Sequence, residues 1–276
     1  MPFWSRKDKS KDPLLKNILD KYHLNLLSVP RENASVGDLY VQDGNVQHLS
    51  SPGSVSNFLE PKFEIPQVRI GETMADISGT STRAESTKVG LDVLEGFLNA
   101  LGPVGLGSKV RGSYERDNKQ TIKFSFTSAT RDYVDPILLG SKLGEGQYKF
   151  NTKNALYAED RKYFVVTAVA KSGSFAISAE GDRKQLMDID AEVKQLINTT
   201  AGVSIESSGS GQITFKGNKS LVFGVELFEL KYDINNQKFA MSTISEAMGL
   251  RGEVQNRPSL IGDPTEGDAF VALSNY

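Results

Sequence analysis

The period of the apolar positions changes along this chain. Asp12 and Pro13 make a helix start, an N-cap carboxylate followed by a residue whose fixed φ suits the first helical position. Leu14, Leu15, Ile18, Leu19 and Tyr22 follow at helical spacing, with Lys11, Lys16 and Lys21 on the polar side. A short amphipathic helix is therefore expected over Pro13–Tyr22. Strand signals come next at Leu39–Gln42 and at Phe63–Ile70, where Pro66 implies an edge or a kink. Beyond them the chain becomes strongly β. Ile122, Phe124 and Phe126 alternate with polar residues, and YFVVTAVA (163–170), Ser174–Ala179 and LVFGVELFELKY (221–232) are rich in β-branched and aromatic residues. These are the expected central strands.

Two segments fit both periods. Val89, Leu91, Val93, Leu94, Phe97, Leu98 and Leu101 form a stripe for a helix that Gly102-Pro103 stops, yet Val89, Leu91, Val93, Phe97 and Leu101 also sit on alternate positions of a strand. Likewise Leu186, Ile189, Val193, Leu196 and Ile197 make a helical face, while Met187, Ile189, Ala191, Val193 and Ile197 share strand parity. The polar, Gly/Ser/Thr-rich stretches Thr73–Lys88 and Ala201–Gln212 flank them as poor core builders, suited to loop or exposed strand. Ser207–Gly211 is an expected hairpin tip. The expected fold class is α+β: a twisted, mainly antiparallel central sheet with surrounding helices at Pro13–Tyr22, Lys88–Leu101 and Arg183–Asn198, and a short C-terminal inhibitory peptide.

Composition narrows the chemistry. With no Cys among 276 residues there is no disulfide, thiolate metal site or cysteine nucleophile. A net charge of -2 argues against a dedicated nucleic-acid partner. Charge is uneven, however: residues 1–31 carry seven Lys or Arg against three Asp, whereas 251–276 carry two Arg against four acids. No apolar run reaches the roughly 18 residues of a spanning helix, and a soluble, cytoplasmic inactive form is expected.

Enzyme signatures are sparse, and no cofactor is implied. His23 and His48 lie outside any metal-ligand pair, Gly102–Gly107 reads GxxGxG without a following Gly-Lys-Ser/Thr and is a turn, and no GxSxG occurs. Asp132 and Asp135 in TRDYVDP suit either an acid/base pair or a strand-end turn with an N-cap before Pro136 and a helix through Ile137-Leu138-Leu139.

Four stretches, in this order, carry a resemblance that covers most of the chain: DPLLKNILDKYHLNLLSVPR, IKFSFTSATRDYVDPILLG, KYFVVTAVAKSGSFAISA and SLVFGVELFELKYD. The chain resembles the gasdermins, in particular the short bacterial type. The resemblance implies a non-enzymatic pore former, held inactive by its C-terminal part, cut by a partner protease and assembled as a large ring in the inner membrane. It maps membrane-inserting hairpins onto about 73–128 and 163–223, intervals that contain both double-period segments. A bilayer leaves no backbone group unpaired, so closed β-structure is the form the alternating residues suit there. One departure stands at the N-terminus, where Phe3 and Trp4 occupy the place of the acylated Cys that many bacterial members carry.

The resulting expectations are a pore-forming domain over 1–250 and an autoinhibitory tail over 251–276. Val89, Leu91, Val93, Phe97, Leu101, Ile189, Val193 and Ile197 are the insertion residues, and Lys7, Lys9, Lys11 and Lys16 the contacts to anionic lipid. Gly249 and Gly252 make the joint accessible, so cleavage is expected near Leu250 or Arg251, and the apolar Phe270, Val271 and Leu273 are the anchors that dock the tail. The competing readings are a soluble β-rich module binding lipid or a hydrophobic ligand, and a hydrolase built on Asp132 and Asp135.

Overall fold

The computed structural model describes residues 18, 21–42, 48–81, 84–103, 105–115, 121–151, 161–180, 191, 193–195, 202–208, 212–233, 236, 238–243 and 272–274. Its frame is an antiparallel pair of long strands, β10 (Lys162–Glu180) and β12 (Gln212–Asp233). YFVVTAVA and Ser174–Ala179 thus belong to one strand. Along the outer edge of β10 lie β2 (Asp38–Gln42), β8 (Thr130–Tyr133) and β7 (Thr121–Thr127) in succession. Along the outer edge of β12 lie β13 (Lys238–Thr243), β1 (Asn25–Arg31) and β11 (Val203–Ser208). β5 (Arg69–Thr73) extends from β8, β6 (Ile77–Ser81) from β7, and β3 (His48–Ser54) from β2. Among the described residues these pairings are antiparallel; the exception is β14 (Ala272–Ser274), which runs parallel to β3. β4 (Leu59–Glu60) and β9 (Lys149–Phe150) make a separate pair.

Three register shifts interrupt the β10–β12 ladder, between Val166 and Ala168, Ala170 and Lys171, and Ser172 and Ser174. Bulges bend a strand and sharpen its twist. Here they also change parity: Phe164 and Val166 face one core at one end of β10, and Phe175 and Ile177 face the same core at the other. Tyr163 and Val165 point into a second core on the opposite face. Burial on both faces explains why YFVVTAVA is continuously apolar instead of alternating.

The second core is closed by α1 (Val55–Phe58) and α4 (Pro136–Glu145). α4 begins as its sequence dictates: Asp135 caps it, its carboxylate accepting from the N–H of Ile137 at 2.8 Å and of Leu138 at 3.4 Å, with Pro136 at the first position. The first core is covered by α2 (Ala84–Leu101) and α3 (Leu106–Glu115). α2 meets the helix expected at Lys88–Leu101. α3 is absent from the sequence reading, although Leu106, Val110 and Tyr114 carry an i, i+4, i+8 spacing and are all buried.

Of Phe63–Ile70, only Arg69 and Ile70 are strand, at the start of β5. The extended ladder starts only at Arg69, and Phe63 is instead a fully buried plug of the second core, stacked edge-on against Tyr148 at 5.1 Å. Pro61 and Pro66 remove backbone donors on either side, so the segment has little ladder to offer. Of the helix expected at Pro13–Tyr22, Ile18, Lys21 and Tyr22 are helical, and of that at Arg183–Asn198, Ala191 and 193–195; the remainder of both lies outside the described residues.

Candidate functional site

Four strands stand side by side at one end of the sheet in the order β6, β7, β10, β12. The chain leaves β6 and returns in β7 forty residues later, and leaves β10 to return through β11 and β12. Each of the two double-period segments is therefore the connection between adjacent antiparallel strands. The first is stored as α2 and α3, laid over the face that Ile77, Phe124, Phe126, Phe175 and Phe215 present.

Phe97 is the aromatic contact between α2 and that face. It is fully buried, its ring 5.5 Å from that of Phe175 and 6.2 Å from that of Phe126, which stacks on Phe223 at 3.8 Å. Aromatic burial of this size is among the largest contributions a single side chain makes to a core. Leu91, Val93, Leu94 and Leu98 are buried with it, and Leu101 is partly buried against Gly217 of β12. In the helix, both parities of the stripe are thus used: Val93 and Leu94 are neighbours in sequence and both fully buried.

α2 and α3 are held together by a polar seam. The Arg111 guanidinium ion-pairs with Asp92, with Glu95 at 2.8 Å and with Glu115 at 2.6 Å. The Ser108 hydroxyl donates to Glu95 Oε1 at 2.5 Å, and the Gly107 N–H donates to Asn99 Oδ1 at 3.0 Å. Among the described residues no helix is long and apolar enough to span a membrane.

Against this region the expected insertion residues fall as follows. Leu91, Val93 and Phe97 are core residues of the folded form, as is Val193, while Leu101 is half-buried. Val89 lies in α2. Ile189 and Ile197 lie outside the described residues, as do Lys7, Lys9, Lys11 and Lys16, the expected cleavage residues Leu250 and Arg251, and the expected anchors Phe270 and Val271. Leu273 sits in β14, its backbone paired with Leu49 of β3. The pairing adds Ala272–Ser274 to the sheet as an edge strand, a backbone device that the apolar spacing of Phe270, Val271 and Leu273 does not reveal.

Asp132 and Asp135 do not form an acid/base pair. Asp132 ion-pairs with Lys171 and accepts from the Gly71 N–H at 2.9 Å, and Asp135 serves as the α4 cap. Burial raises the Glu226 carboxyl above the usual range, opposed by a Thr167 hydrogen bond and by the charges of Arg131 and His23. Burial likewise pushes the Tyr40 hydroxyl up to about 12.

The model of the Bacterial Gasdermin Family matches residues 27–240, most of the described fold. The chain belongs to that family. It is similar to the gasdermin bGSDM of Vitiosangium sp., 26% identical over 224 residues that cover 79% of this chain and 81% of the relative. It is similar also to that of a Desulfuromonadales bacterium, 29% identical over 227 residues covering 81% and 83%. Its fold matches the solved structure of a bacterial gasdermin from Bradyrhizobium tropiciagri with a TM-score of 0.62 at 20% identity, covering 95% of this chain and 96% of that one. As a bacterial gasdermin it is a pore-forming protein.

Proposed function

We propose that this gasdermin is held inactive by its tail, is cut by a partner protease near Leu250 or Arg251, and then self-associates as a ring in an anionic inner membrane, with lysis or cell death as the outcome in bacterial defence. The observation that carries the reading is the β6-β7-β10-β12 order. Two adjacent antiparallel strand pairs share one apolar face and are joined by connections long enough to extend as strands. A strand crossing takes about 9–11 residues. The placement of Ala272–Ser274 beside β3 supports a role for the tail, because strand addition makes a peptide's hold depend on its remaining tethered at high effective concentration. Released by a cut, a three-residue strand has little to retain it.

The basic N-terminal segment supports the choice of lipid, since each Lys near an anionic surface contributes up to about 1 kcal/mol. The test is release of a trapped dye from vesicles with and without anionic lipid, by the full chain carrying an engineered protease site after Leu250, before and after the cut. Rapid release from anionic vesicles by the cut chain alone is expected, weakening as salt is raised. Equal release before and after cutting removes autoinhibition; equal release from neutral vesicles removes the anionic lipid.

A further inference from the structure

β6 and β7 pair Ile77 with Phe126, Gly79 with Phe124 and Ser81 with Ile122, so the numbers of any two partners add to 203. α2 and α3 fold back on one another about the turn that follows Leu101, and two of the contacts that join them obey the same sum. Arg111 is ion-paired with Asp92, and Ser108 is hydrogen-bonded to Glu95. Two others, Arg111 with Glu95 and Gly107 with Asn99, add to 206, so the centre of the helical pair lies within about two residues of that of the strand pair beneath it.

We infer that β6 and β7 lengthen into the membrane in the register they already hold, with the turn centred on Leu101–Gly102 and with Asp92–Arg111 and Glu95–Ser108 as directly opposed cross-strand pairs. This rests on the pore-forming reading above and adds to it the register and the lipid-facing set. In that register one face of the hairpin sets Val89 opposite Tyr114, Val93 opposite Val110 and Phe97 opposite Leu106. The span from Val89 to Phe97 is nine residues, as is that from Leu106 to Tyr114, which matches one crossing of about 9–11. The opposite face sets Lys88 against Glu115, Asp92 against Arg111 and Gly96 against Gly107, so unlike charges meet across the strands on the side away from lipid.

Alternatives in register are penalised by the same residues. A slip of one position flips one arm relative to the other and turns Lys109, Arg111 and Glu115 toward lipid. A slip of two restores the faces but sets Glu95, the acid on the apolar side, opposite Val110 or Leu106 instead of Ser108. In the register of 203 that carboxylate keeps the hydroxyl donor it already has. Gly102-Pro103 is a turn dipeptide at the required place.

The second strand pair behaves differently. Ile177 pairs with Ile213 and Ser178 with Gln212, which centres a turn on Gln195, but β11 already occupies the other edge of β12 through Val203 and Gly217. That connection has strand pairs to break before it extends, whereas the first keeps Asp92 with Arg111 and Glu95 with Ser108.

The absence of native Cys permits a direct test. Three double variants of the full chain with a cut site after Leu250 are inserted into anionic vesicles and oxidised there: Lys88→Cys/Glu115→Cys, Lys88→Cys/Ser113→Cys and Lys88→Cys/Asp117→Cys. With leakage under way, the first is expected to form its intrachain disulfide at least tenfold faster than the other two. A faster bond to 113 or 117, or no intrachain bond in any variant while the vesicles leak, overturns the register and leaves the pore reading standing. Vesicles that stay sealed after the cut overturn the pore reading and the register with it.

Discussion

Gly107 of α3 lies directly against the backbone of Glu95 in α2: a Cβ at Gly107 would fall 2.2 Å from the Glu95 carbonyl oxygen and 2.8 Å from its Cα. The two helices approach this closely because nothing but hydrogen stands between them. The obstacle is main chain, so no rotamer change relieves it.

Gly107→Ala is accordingly expected to force the helices apart and destabilise the soluble form by about 1–3 kcal/mol. In the extended hairpin the same residue stands opposite Gly96, where a methyl group meets no side chain. The variant should melt several degrees lower yet release dye faster once cut. A lowered melting temperature with slower release would mean that Gly107 is needed in the inserted state as well.

Leu98 and Phe97 separate the two states in the other sense. Both are fully buried in α2, so each change to Ala should weaken the soluble fold, by about 2–5 kcal/mol for Leu98 and 3–5 for Phe97. On the extended strand Phe97 faces lipid and Leu98 faces away. Leu98→Ala is expected to speed leakage after cutting and Phe97→Ala to slow it. Leakage that shifts the same way in both, measured alongside thermal melts, counts against the assigned faces. Val93→Asp is a poorer probe, because Val93 is fully buried in the folded form and an unpaired carboxylate there disrupts the fold before any membrane is met.

The tail can be tested through its backbone. Leu273→Pro removes a donor and constrains φ within the strand that pairs with β3, while leaving Phe270 and Val271 in place. Uncut Leu273→Pro should release dye above the background of the uncut parent. Quiescence of the uncut variant, with Phe270→Asp and Leu273→Asp together also silent, would remove the tail from the inhibitory mechanism.

Glu226 yields a pH dependence. Burial raises its carboxyl pKa in the folded chain above the unfolded value of about 4.3. The folded state therefore disfavours the charged form: the penalty is complete above the folded pKa and vanishes as pH falls through it toward the unfolded value. Glu226→Gln should raise the melting temperature at pH 7.5, and the gain should shrink toward zero at pH 4. A gain independent of pH would trace to packing and not to charge.

Local pattern was enough for much of this protein. The strands of 163–179 and 221–232 declare themselves because β-branched and aromatic side chains suit a pleated, buried surface, and the Asp135-Pro136 start of α4 because capping is settled by neighbours in sequence. The four stretches from DPLLKNILDKYHLNLLSVPR to SLVFGVELFELKYD carry the family and the α+β class. What the tertiary structure alone decided is non-local. Residues 89–101 fit helix and strand equally by spacing, and the helix wins here because the hydrophobic face beneath it accepts Leu94 and Leu98 together with Val93 and Phe97, which no single face of a strand could present. The Phe63–Ile70 segment reads as strand until Phe63 finds a pocket in the second core, and the close approach of α3 depends on a glycine whose purpose is visible only against Glu95. The order β6-β7-β10-β12 and the parallel seat of Ala272–Ser274 are backbone pairings between residues far apart in the chain. Such pairings are set by which edges the assembled sheet leaves open, and no periodicity along the sequence encodes an edge.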